Sequence, residues 1–195
     1  MKHEFFSQAY KVLFFSFLIA FFAVIASCNK DDDSDFAVLG YDTDNMDAPL
    51  LPQGTYESGI RLSSGLMGQY AGLNLEKIRY YIKDMPLTCE IRVYEFSNGN
   101  EPGNLLYSKD VRSETSALSW NEHVLDQPIE LSGSDLWLAV RYSQQGTQRT
   151  MGCDPGPAKY NGDWIWDEAD DLWLRLIERS EADINWNLRG YVRLN

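Results

Sequence analysis

The feature that most constrains this chain is period-two alternation of apolar and polar residues, repeated from about Thr55 to the C-terminus. Ile78, Tyr80 and Ile82 share one face of an extended segment. Cys89, Ile91 and Val93 share another, opposite Glu90, Arg92 and Tyr94. Leu136, Leu138, Val140 and Tyr142 oppose Trp137, Ala139 and Arg141. Trp186, Leu188, Gly190, Val192 and Leu194 oppose Asn187, Arg189, Tyr191 and Arg193. Side chains along a strand alternate between faces, so each segment predicts a strand with one buried and one wet side. Several such strands separated by Gly, Pro and Asn predict an antiparallel all-β sandwich over 55–195. The loop from Asn98 to Gly103 predicts a hairpin. Helix signals are few. Leu62, Leu66 and Tyr70 allow one short helix. The stretch 172–182, LWLRLIERSEA after Asp171, fits strand and helix periods equally well.

The N-terminal part obeys a different rule. Lys2 and Lys11 precede an apolar run from Val12 to Ala26 that only Ser16 interrupts, and seven of the nine Phe lie within 1–27. As a helix, that run spans ~22 Å, short of the ~30 Å hydrocarbon core, which favours a signal peptide over a retained span. Ile25-Ala26-Ser27-Cys28 resembles the bacterial lipobox. The resemblance implies cleavage after residue 27, acylation of Cys28 and attachment to a membrane through the lipid. The acidic run Asp31, Asp32, Asp33 and Asp35 is similar to the export signal of surface lipoproteins of the Bacteroidota type. It implies display on the outer face of the outer membrane; the alternative is the periplasmic leaflet. Residues 28–54 then read as a disordered acidic tether.

Charge narrows the function. The net charge of −12 disfavours nucleic acid as a partner. Loss of residues 1–27 leaves 15 basic and 28 acidic residues, and much of the acidic excess lies in 28–54. His123 is the one histidine after the signal segment, and no serine stands in a nucleophile elbow, so a Ser–His–Asp system is not predicted. Asp167, Glu168, Asp170 and Asp171 lack the same-strand spacing of sandwich glycosidases. A non-catalytic role is the expectation. Asp154, Asp163, Asp167 and Asp170 are candidate oxygen ligands for a structural calcium, or solvated turn acids. Cys89 and Cys153 are a candidate disulfide in an exported chain, or two small core residues.

Four segments together carry a further resemblance: VYEFSNGNEPGNLLYS at 93–108, LWLAVRY at 136–142, DPGPAKYNGDWIW at 154–166 and NWNLRGYV at 185–192. They resemble a jelly-roll module of surface lipoproteins, related to the cleaved adhesin domain. The resemblance implies a jelly-roll β-sandwich, a binding or adhesive role and strand at 171–177. It brings no catalytic residues. Trp166 stands where such modules often carry a small polar residue.

All six Trp lie from position 120 onward. Trp186 alternates with core residues, and Trp164 sits in the Pro/Gly motif, so both are expected to pack. Trp137, Trp166 and Trp173 fall off the predicted core face and are the candidate ligand-binding residues. Indoles offer flat apolar area with a polar edge, suited to a sugar face or a protein surface. The alternative roles are a structural subunit of an outer-membrane or fimbria-like assembly, and a carbohydrate-active enzyme.

Overall fold

The computed structural model describes residues 33–45, 47–97 and 99–194. The chain divides into Met1–Ser34 and Asp35–Asn195, and the second unit is the sandwich. The signal segment 1–27 and Cys28 lie outside the described residues. Among the described residues, no helix is long and apolar enough to cross a membrane.

Among the described residues, ten strands form two antiparallel sheets: β1 (Phe36–Leu39), β2 (Gly54–Leu62), β3 (Asn74–Ile82), β4 (Thr88–Phe96), β5 (Pro102–Asp110), β6 (Ser119–Glu130), β7 (Leu136–Gln144), β8 (Trp164–Asp167), β9 (Leu172–Arg175) and β10 (Leu188–Arg193). One sheet has the order β1-β10-β3-β6, the other β5-β4-β7-β2-β8-β9. Consecutive strands change sheets at β1–β2, β2–β3, β3–β4, β5–β6, β6–β7 and β9–β10, so both layers close over one core. The all-β sandwich expected from the alternation is the fold observed.

The core is made by the predicted faces. Ile78, Tyr80, Ile82, Ile91, Val93, Leu138, Val140, Tyr142, Leu188 and Val192 are buried together. Each large aliphatic side chain so buried contributes about 1.5–3 kcal/mol of transfer free energy, before the entropic cost of ordering the chain. Trp186 joins this core, and its Nε1 donates to the Trp164 carbonyl at 2.8 Å. At the open edges, the Tyr107 hydroxyl on β5 meets His123 Nε2 on β6 at 2.8 Å, linking the two sheets.

The tether read across 28–54 is shorter than the charge pattern implies. Phe36–Leu39 pairs in register with β10, Phe36 opposite Arg193 and Leu39 opposite Gly190. Leu39 and Ala48 are buried. The acids that looked destined for solvent have cationic partners in the sandwich. Asp42 is almost fully buried against Arg189 (2.7 Å), and Asp47 pairs with Lys83.

The ambiguous stretch after Asp171 is both things in succession. Leu172–Arg175 is β9, and Leu176–Ser180 is a short helix. Asp163 fixes the change. Its backbone carbonyl accepts the Leu176 N–H (2.7 Å), its carboxylate accepts the Ile177 N–H (3.2 Å), and it pairs with buried Arg175. First-turn N–H groups have no partner within a helix, so an acceptor from outside is what lets one start there.

The cysteines do not pair. Cys89 and Cys153 are both buried free thiols. Cys89 lies within β4, while Cys153 bridges Asp47 and Trp186 between strands. Burial pushes the two thiols up, to about 11 and about 12, the second helped by nearby Asp154.

Candidate functional site

The outer face of the six-stranded sheet carries the site. Its floor is made of small residues: Gly59 on β2 lies opposite Ala139 on β7. Three indoles occupy the space this leaves. Trp137 and Trp164 centroids are 5.2 Å apart, and Trp173 meets Trp137 edge-on at 5.5 Å. A Cβ on Gly59 would stand 3.2 Å from Trp173 Cζ3.

Trp137 is therefore not a contact residue for a ligand. It is fully buried, at 0% exposure, beneath the other two indoles. Its position opposite the core face was read correctly, but that face is itself covered here. Trp166 and Trp173 remain half-buried and are direct register partners across β8 and β9. With Tyr94, Pro102, Glu101 and Asp171 they line an open groove of about 290 Å³. Asp171 closes the β8–β9 turn in the left-handed region, at φ 49°, and accepts the Trp166 Nε1–H at 3.1 Å. Asn and Asp tolerate that conformation better than other non-glycine residues.

An ion network runs beside the groove. Glu57, only 2% exposed, accepts the Tyr94 hydroxyl at 2.5 Å and Arg92 Nη1 at 3.3 Å. Arg92 also holds Glu90 at 2.9 Å. Arg141 lies over the Trp166 ring, 4.5 Å from its centroid, with Glu57 and Glu168 each 3.9 Å away. Burial is the largest influence on the Glu57 carboxyl and pushes it above the ordinary carboxylate range, against the opposing Tyr94 hydroxyl and the two guanidinium groups. Sequence reasoning placed Glu57 nowhere. Its signal is the one acid of β2, which stands opposite Arg141 in register.

The candidate calcium ligands do not converge. Asp163 serves Arg175, and Asp167 serves Arg179 and the Ala169 N–H. Asp154 accepts N–H groups from Thr43, Gly156 and Asn185. These carboxylates are turned to separate donors, and among the described residues no three His, Cys, Asp or Glu side chains form a metal group. His123, in the Tyr107 contact and 3.5 Å from Glu114, serves the sheet seam.

A second groove, of about 320 Å³, lies at a sandwich end between Phe96, Leu106, Leu131 and Leu136. Among its polar lining residues, Asp135 is held by Arg61 and the Ser64 N–H, both at 2.7 Å, and Phe96 lies under the Arg61 guanidinium. It offers a ligand less open aromatic surface than the groove beside Trp166. Compared with known protein families, curated proteins and solved structures, the chain matches none.

Proposed function

We propose that this chain is a lipid-anchored surface protein whose sandwich is a non-catalytic binding module for a glycan or protein ligand. The groove beside Trp166 and Trp173 is its ligand site. The observation that carries the reading is the pairing of these two half-buried indoles as register partners, with Tyr94 completing an aromatic lining. Paired rings of this kind present flat apolar area that favours the C–H face of a sugar, and the indole edges supply polar contacts. A glycan is the first choice, since the groove is shallow and rimmed by acceptors for hydroxyl groups. Acylation at Cys28 and exposure on the outer membrane complete the reading.

Fluorescence titration against a polysaccharide panel tests the glycan version. A ligand that shifts tryptophan emission, with the shift lost in Trp166→Ala and Trp173→Ala, supports it. No shift with any sugar defeats it. Cys28→Ala tests the anchor, because an unchanged membrane fraction is incompatible with it. Protease treatment of intact cells tests exposure.

One observation favours a second reading, the subunit of an assembly. The edge strand β5 pairs only with β4, and it exposes Leu105 and Leu106. An unpaired apolar edge is a template for another strand. A stoichiometric partner recovered after mild detergent extraction supports that reading, and a free protein opposes it.

A further inference from the structure

The charges around the groove distinguish among sugars. Its lining holds three aromatic rings, one proline and two carboxylates, Glu101 and Asp171, and no cationic side chain. The positive charge of this face is committed elsewhere. Arg92 is shared between Glu90 and Glu57, and Arg141 lies on the Trp166 ring between Glu57 and Glu168. Asp171 takes the Trp166 N–H through Oδ1 alone. The groove therefore presents negative π faces and negative oxygens together. Aromatic faces attract cations, most strongly for tryptophan, and Trp166 already holds one in Arg141. An anionic ligand meets two like charges here, and a neutral one leaves both carboxylates without a counter-charge.

We propose that the groove selects a glycan whose rings carry a protonated amine, that is, an amino sugar with its nitrogen unacylated. This rests on the binding-module reading above. The ring's C–H face lies against Trp166 and Trp173, and the ammonium group faces Glu101 and Asp171. At about 290 Å³ the groove is at the small end of ligand sites, so it reads a short segment of the chain. N-acetylation of the amine removes the charge and abolishes the preference.

Calorimetry on the full chain, with short oligomers of glucosamine, N-acetylglucosamine and glucose of equal length and linkage, tests this. The glucosamine oligomer is expected to bind about tenfold more tightly than the other two at low salt. The preference should fall as salt rises. It should vanish in the double variant Glu101→Gln with Asp171→Asn, leaving the glucosamine and glucose oligomers with equal affinity. Trp173→Ala should weaken all three. Equal affinity for the three oligomers overturns the charge selection and leaves the glycan reading standing. Glucosamine binding that survives Trp173→Ala also overturns it, since that is attraction of a polycation to an acidic surface. No binding of any of the three oligomers overturns the charge selection, and the glycan reading then stands or falls with the polysaccharide panel. Capture of a trimethyl-lysine peptide instead overturns both the charge selection and the glycan reading in favour of a protein ligand.

Discussion

Trp173 rests on Gly59. The indole's Cζ3 and Cη2 lie 3.2 and 3.3 Å from where a Cβ on that glycine would stand, and the Leu138 carbonyl oxygen is equally close. The residue that shapes the groove's wall is thus one with no side chain, two strands away from the ring it seats. Replacing Gly59 by Val forces the ring or the strand to move. Overpacking of this kind costs about 1–3 kcal/mol. Gly59→Val should lower the urea midpoint accordingly and weaken ligand binding as much as Trp173→Ala does. Unaltered binding in a folded Gly59→Val protein would show that the seat does not matter.

Asp163 holds the other end of the β9 hairpin. It is fully buried with Arg175, and it accepts the N–H that begins the following helix. Removing one partner of a buried ion pair leaves an uncompensated charge, a loss of about 3–5 kcal/mol. Asp163→Ala should therefore unfold at markedly lower denaturant and expose the groove tryptophans early, seen as a red shift in emission before the main transition. A loss below about 1 kcal/mol would place Arg175 in water instead.

Two carboxylates respond to pH in opposite directions. Burial alone would raise Asp154. The N–H groups of Gly156 and Asn185, the Asn185 amide and the Thr43 N–H outweigh it and hold the carboxyl below its ordinary 3.8. A depressed acid contributes stability that is present above the unfolded value and is lost as pH falls through the folded one. Glu57 is raised above its ordinary 4.5, so its contribution is present below that value and is lost as pH rises through the folded one. Thermal melts from about pH 8 to about pH 2.5 should show the acid-side loss, and it should be smaller in Asp154→Asn. Glu57→Gln should flatten the slope above the ordinary carboxylate range. If neither variant changes its limb of the profile, the assignments are wrong.

The thiols supply a simpler test. Buried and pushed to about 11 and about 12, Cys89 and Cys153 present almost no thiolate near neutrality. An aromatic disulfide reagent should label neither in the native protein and both after denaturation. Reductant should leave the melting temperature unchanged. A fall in melting temperature on reduction would mean a bridge exists.

The strand faces were legible because alternation is a local property. Ile78, Tyr80 and Ile82, like Leu138, Val140 and Tyr142, needed only their own neighbours in sequence to be placed in the core. Trp137 was misjudged because alternation says which face a residue takes and nothing about what lies over it. Its cover comes from Trp164 and Trp173, brought there by β8 and β9 across the small floor of Gly59 and Ala139. The same reason hid β1. Asp42 and Asp47 looked like solvent-loving acids until Arg189 and Lys83, distant in sequence, arrived beside them. Trp166 and Trp173 were legible as aromatics off the core face, and both stay half-buried in the fold. Glu101 and Asp171 were legible only as turn residues, and their shared groove depends on two separate hairpins meeting at one face.

The four-residue ladder between β1 and β10 also has a mechanical meaning. Phe36, where the strand begins, pairs with Arg193 at the very end of β10. Tension drawn through the N-terminal segment would reach this pair first and open the ladder one rung at a time, a weak zipper in series with a stiff body. The groove lies on the other sheet, so opening this ladder breaks none of the strand pairings that hold Trp166 against Trp173.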